Sequence, residues 1–239
     1  MLFFKSKDEI KNVLPIFKQF LIEDFDSRDV KEIFSIIVYL YANNKLGLFN
    51  FPFELIKQEH PDFSILCYEK TLSKGIEHTL STLQDYKMAE SELQKLPEGS
   101  KLEPDYYSPF KKLPKEEVFS GLRHPTERLT GQGYSGDRPE IEWAEIIKNA
   151  LHTKTNLFNK NHFKKFATNE LIIQGDSPVE SIINLDVALK YLEPHIKEYL
   201  TFSYEKRFDK IHIISKNSFV YDILSRKEIV RFSKDVLFS

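Results

Sequence analysis

The hydrophobic period of this chain changes twice, and those changes constrain its fold more than any other feature. Up to about residue 44, apolar residues recur every three or four positions. Ile10, Val13, Leu14, Phe17, Phe20 and Leu21 predict an amphipathic helix over residues 8–22 in spite of Pro15. Val30, Ile33, Phe34, Ile37, Val38 and Leu40-Tyr41 predict a second, which Ser27 would cap and Asn43-Asn44 would close. From residue 51 the period drops to two. Phe51, Phe53 and Leu55, then Phe63, Ile65 and Cys67, then residues 74–79 read as a meander of three strands. Helical spacing returns through Leu83, Tyr86, Ala89 and Leu93 and closes at Pro97-Glu98-Gly99.

Residues 97–138 are rich in proline and glycine and carry no clear period, and a segment of that length inside one domain is usually functional. Beyond it, Trp143, Ile146, Ile147, Ala150, Leu151 and Leu157 predict a long helix that starts at Pro139. A strand over 171–173, a helix from about Pro178 to Tyr199 and strands over 211–214 and 219–224 complete the order. At 239 residues this describes one α/β (α+β) domain, 1–239, with N-terminal helices in 1–45 and an elaborated loop region in 97–138.

Two of the strand segments carry carboxylates. His60-Pro61-Asp62-Phe63 opens one, and Gly75-Ile76-Glu77-His78-Thr79 ends the next. Strand alternation puts Glu77 and Thr79 on one face and Ile76 and His78 on the other. If the two segments pair as an antiparallel hairpin, the start of the first lies beside the end of the second, and Asp62 comes within reach of Glu77. Two carboxylates with a backbone carbonyl and waters are what Mg²⁺ or Mn²⁺ needs. The competing structural account is a turn carboxylate after proline and a charge that guards a sheet edge.

Pro61-Asp62, a strand, a turn, then Ile76-Glu77 resembles the PD-(D/E)xK signature of restriction-endonuclease-like nucleases. The chain also resembles an uncharacterised bacterial group within that superfamily that carries Pro-Asp-Phe and Gly-Ile-Glu-His-Thr. Gly133-Tyr134-Ser135-Gly136-Asp137, Glu140-Ile141-Glu142-Trp143, the helix with Ile147, Lys148, Leu151 and Lys154, Asn169 to Ile173 and Phe208-Asp209-Lys210-Ile211 follow in the same order, so the resemblance runs from about residue 28 to 224. It implies a mixed central sheet flanked by helices, and cation-dependent hydrolysis of DNA or RNA phosphodiesters, with bacterial defence as one setting. It also implies that Asp62 and Glu77 bind the metal, joined by Glu32 from the second helix. The lysine of the third motif position is here Thr79, whose hydroxyl can hold a water but brings no charge. Lys87, with Gln84 one turn earlier on the following helix, is the expected substitute. The alternative is a catalytically inactive nuclease-fold module that binds or regulates within a protein complex.

A formal charge of -2 provides no global basic field, so nucleic acid would have to meet local patches. Gln84, Lys111 and Lys112 after Tyr106-Tyr107, and Lys164 and Lys165 around Phe163, are the candidates, although lysine-rich loops are more often simply solvated. Nucleic acid is the expected partner, and a second copy or a protein partner stays open. A single cysteine, Cys67, excludes an intrachain disulfide, argues against a cysteine-based zinc site and fits a reducing, cytoplasmic setting. No stretch has the length and apolarity of a secretion signal or a membrane span.

Overall fold

The period-two stretch forms the predicted meander. In the computed structural model, which describes residues 1–13, 28–68, 73–131, 133–177, 179, 183–215, 219–225 and 227–231, strands β2 (Phe53–Lys57), β3 (Phe63–Cys67) and β4 (Ser73–Ser81) follow one another. They pair antiparallel, with Leu55 opposite Ile65 and Phe63 opposite Ile76. Residues 7–13 are helical (α1), and α2 spans Arg28–Lys45. The rest of the helix expected over 8–22, and its neighbour's Ser27 cap, lie outside the described residues.

The chain divides into two units. The first comprises residues 1–80, 151–175 and 198–239 and contains a mixed sheet in the order β1-β2-β3-β4-β7-β8-β9-β10. Beyond the meander these are β1 (Leu2–Phe4), β7 (Thr168–Gly175), β8 (Lys210–Ile214), β9 (Phe219–Asp222) and β10 (Lys227–Arg231). β7 and β8 run parallel, with Ile172 opposite His212, whereas β1 pairs antiparallel with β2 and β9 with both β8 and β10. The edge strands β1 and β10 have too few apolar alternations to be read from sequence.

α2 covers this sheet with part of the stripe its spacing predicted, Phe34, Val38 and Leu40, joined by Ile36 and Tyr39, which the spacing did not single out. Phe34, Ile36, Val38, Tyr39 and Leu40 pack with Phe53, Leu55, Phe63, Ile65, Ile76, Ile172, Ile214 and Val220 in one buried cluster. Burial of this kind contributes about 1.5–3 kcal/mol for each large apolar side chain. The same helix also buries polar residues, Glu32 and Ser35 among them.

The second unit, residues 81–150 and 176–197, contains α3 (Gln84–Leu93), a two-stranded ladder of β5 (Lys101–Leu102) with β6 (Leu122–Arg123), and most of α4 (Arg138–Phe158) and α5 (Leu185–Leu200). Ala89, Tyr107, Leu113 and Val118 form one small buried cluster in it. Beyond that short ladder, the aperiodic segment is held by side-chain hydrogen bonds. The Tyr107 hydroxyl donates to the Val118 carbonyl at 2.8 Å, and the buried Glu103 carboxylate accepts from Thr130 N–H, Gly131 N–H and Arg123. Trp143 on α4 is fully buried, as its spacing predicted. Among the described residues no helix is long and apolar enough to cross a membrane.

Candidate active site

The β3–β4 register decides where the two carboxylates go. Phe63 faces Ile76, so one step further along the hairpin Asp62 faces Glu77. Both are buried, Asp62 with 7% of its surface exposed and Glu77 with none. Asp62 Oδ2 accepts the peptide N–H of His78 at 2.7 Å. Gly75 makes the close fit possible: a Cβ there would lie 2.7 Å from the Phe166 ring and 2.9 Å from Pro61 Cγ. The Gly-Ile-Glu spacing thus has a packing reason, since the proline before Asp62 needs the gap that glycine leaves on the facing strand.

Burial governs the charge state of the pair. It pushes the Asp62 carboxyl up to about 6, with the facing Glu77 adding to the effect and the His78 N–H opposing it. Burial likewise raises Glu77 above the ordinary carboxylate range, against the pull of Lys154. The Lys154 ammonium donates to Glu77 Oε1 at 2.5 Å. Among the described residues no donor meets the other, buried oxygen, Oε2, although the Asp62 peptide N–H also pulls on the Glu77 carboxylate. Two buried carboxylates held opposite one another, one with an unused oxygen, suit a hard cation that takes one or two carboxylates and keeps several waters.

Glu32 reaches the pair electrostatically, adding to the upward push on both Asp62 and Glu77, and it sits 3.5 Å from Lys57. Among the described residues no three His, Cys, Asp or Glu side chains gather closely enough to form a metal cage. A divalent ion would therefore rest on Asp62 and Glu77, with water and backbone oxygen completing its shell and Glu32 acting from further out.

Thr79 is half-buried, on the Glu77 side of β4 by alternation. Lys87 belongs to the second unit, where Glu90 at 2.5 Å and Asp176 at 2.9 Å take up its ammonium. Burial works against that charge, but the two carboxylates outweigh it and hold the pKa above the ordinary lysine value. The lysine on the carboxylate pair is Lys154, from the C-terminal half of α4. Sequence reasoning placed it on the helix without giving it a role. The available signal was a lysine within the apolar stripe Ile147, Leu151 and Phe158, where a charge stays only if it has a partner.

The lysine segments divide between the units. In the first, the Lys164 peptide N–H donates to the His60 carbonyl at 3.3 Å, which brings this loop against the Pro61-Asp62 segment, and the exposed Lys164 ammonium lies 4.9 Å from the centre of the Phe166 ring. Lys165 is less available, since its ammonium donates to the Glu205 carbonyl at 2.6 Å. In the second unit, Gln84, Lys111 and Lys112 line one cleft of about 230 Å³ together with Thr82, Ser108 and Asn149. The chain matches no known protein family, no curated protein and no solved structure.

Proposed function

We propose that this protein is a Mg²⁺- or Mn²⁺-dependent nuclease with a restriction-endonuclease-like core, hydrolysing DNA or RNA phosphodiesters. The observation that carries the reading is the opposition of Asp62 and Glu77 across the β3–β4 hairpin with Lys154 on Glu77. A cation held by the two carboxylates would polarise the phosphoryl oxygen and lower the pKa of an attacking water. Lys154 supplies the positive charge that Thr79 lacks. Arriving from a helix instead of the strand, it can orient a water beside Glu77 and offset charge that builds on the phosphate. The Thr79 hydroxyl is a further hydrogen-bonding group for that water. Lys164, on the loop against Pro61-Asp62, offers a contact to the substrate backbone, as does the Gln84–Lys111–Lys112 cleft of the second unit.

One observation favours the inactive, binding-only alternative: a lysine at 2.5 Å already neutralises Glu77. The two readings separate in one experiment. Purified protein is incubated with Mg²⁺ or Mn²⁺ and a panel of linear DNA and RNA, single- and double-stranded, beside the Asp62→Ala variant. Cation-dependent cleavage that disappears in the variant is the expected result. Cleavage that persists would remove Asp62 from the assignment, and no cleavage together with no Asp62-dependent Mn²⁺ heat would leave the binding module.

A further inference from the structure

Two tiers of buried hydrogen bonds tie α2 to the sheet. In one, the Tyr39 hydroxyl donates to Glu170 Oε2 at 2.9 Å, and His212 Nε2 meets the same oxygen at 2.8 Å. In the other, one turn earlier on the helix, the Ser35 hydroxyl donates to Gln174 Oε1 at 2.6 Å, and His78 Nε2 lies 3.3 Å from that oxygen. Ser35, Gln174 and His78 are all buried. An amide oxygen only accepts, so the His78 ring meets it with a protonated Nε2. The peptide N–H of that same histidine is the group on which Asp62 Oδ2 rests.

We propose that Gln174 and Ser35 are positioning residues for the carboxylate pair: they clamp the His78 ring, and through it the peptide N–H that directs the Asp62 carboxylate toward Glu77. A strand residue has two handles, its ring on one face and its peptide group in the plane of the sheet. Fixing the ring from α2 removes the rotation of the β4 backbone that would swing the N–H off Asp62. The histidine of the Gly-Ile-Glu-His-Thr segment thereby acquires a role even though it points away from Glu77. Among the described residues the Tyr39–Glu170–His212 tier, which also takes up Lys74 at 3.3 Å, has no such link to Asp62. The proposal rests on the reading of Asp62 and Glu77 as a cation site.

Two measurements on the full-length protein test it, one with metal and one without. In metal-free protein, the amide proton shift of His78 reports its hydrogen bond to Asp62. Gln174→Leu is expected to move it upfield, while Gln174→Glu, which keeps an acceptor oxygen at that place, restores the wild-type position. In calorimetric titrations with Mn²⁺, Gln174→Leu is expected to bind about 10–100-fold more weakly than wild type, the usual range for loss of a group that orients a ligand, with Gln174→Glu close to wild type. Should the leucine variant fail to fold, Ser35→Ala gives the same two readings with smaller changes of the same sign. An unmoved His78 amide together with unchanged Mn²⁺ affinity overturns the proposal. A moved amide in a protein whose wild type takes up no Mn²⁺ upholds the clamp and overturns the cation site instead.

Discussion

Lys154 and Glu77, separated by 77 residues in the sequence, form a 2.5 Å ion pair in which the carboxylate is wholly buried and the lysine side chain partly so. A buried carboxylate depends on its partner far more than an exposed one does, because removing the cation leaves the desolvation cost uncompensated. Lys154→Ala should therefore destabilise the protein at pH 7.5 by about 3–5 kcal/mol, and by less near pH 4, where Glu77 is protonated. Cation-dependent cleavage should fall at least about 100-fold, and Lys154→Arg should keep most of the stability. Urea unfolding at the two pH values and single-turnover cleavage check both halves; equal stability of wild type and alanine variant would show that the pair contributes nothing.

The raised pKa of Asp62 makes a pH prediction with a definite sign. The native protein holds this proton up to about pH 6, whereas the ordinary value is 3.8, so native protein binds more protons than unfolded chain between those values. Stability from this group is greatest in acid and declines as pH rises from about 4 to 6. Asp62→Asn, which removes the charge and keeps an acceptor for the His78 N–H, should be the more stable protein at pH 7.5 by about 1–3 kcal/mol. The difference should vanish near pH 4, and Mn²⁺ binding should be lost. Denaturant titrations at both pH values test this, and an asparagine variant less stable at pH 7.5 would contradict it. By the same proton linkage, Mn²⁺ affinity of the wild type should fall as pH drops below 6.

Gly75→Ala should cost about 1–3 kcal/mol, the usual penalty for forcing extra volume into a packed site. The added methyl meets the Phe166 ring at 2.7 Å and Pro61 at 2.9 Å, so either the loop or the hairpin has to move. Thermal unfolding measures the loss. Because Pro61 precedes Asp62, Mn²⁺ affinity should drop with it.

Tyr39→Phe removes a donor to the buried Glu170 carboxylate and should cost about 1.5–3 kcal/mol, the range for a hydrogen bond to a charged group. His212 remains 2.8 Å from the same oxygen, so the carboxylate keeps a partner. Cation affinity and cleavage should not change. A loss of cleavage in this variant at full folding would show that both tiers of the α2 network feed the site.

Lys111→Glu and Lys112→Glu reverse two charges on one cleft. Binding of a short single-stranded oligonucleotide in EDTA, followed by anisotropy at several salt concentrations, should weaken in each. The slope against log salt should become shallower by about 0.7–0.9 for each phosphate that is no longer neutralised. Unchanged slopes would place the nucleic-acid interface elsewhere.

The order of elements was legible in the sequence because periodicity is a local property. Phe51 to Cys67 alternate whatever the rest of the chain does, and Val30 to Leu40 present one face at any place in the molecule. The Asp62–Glu77 pair was legible for the same reason, since an antiparallel hairpin fixes which residues face each other over a short stretch of chain. The short edge strands β1 and β10 were not, because only their neighbours in the sheet make them strands.

What only the tertiary structure decided is which groups surround that pair. Thr79 brings no charge to the pair, and no local pattern says that the charge comes from Lys154 on α4 while Lys87 is taken up by Glu90 and Asp176. Nor does any pattern join Ser35 to Gln174, 139 residues further on, or set their shared oxygen against the His78 ring. These pairings join elements distant in sequence, created when apolar faces pack and carry a few polar side chains into the interior with them. There each must find a partner or lose the hydration it had in water, and the packing alone chooses which partner that is. The sequence by itself therefore determined a hairpin with two facing carboxylates; the lysine that neutralises one and the clamp that orients the other were decided by the fold.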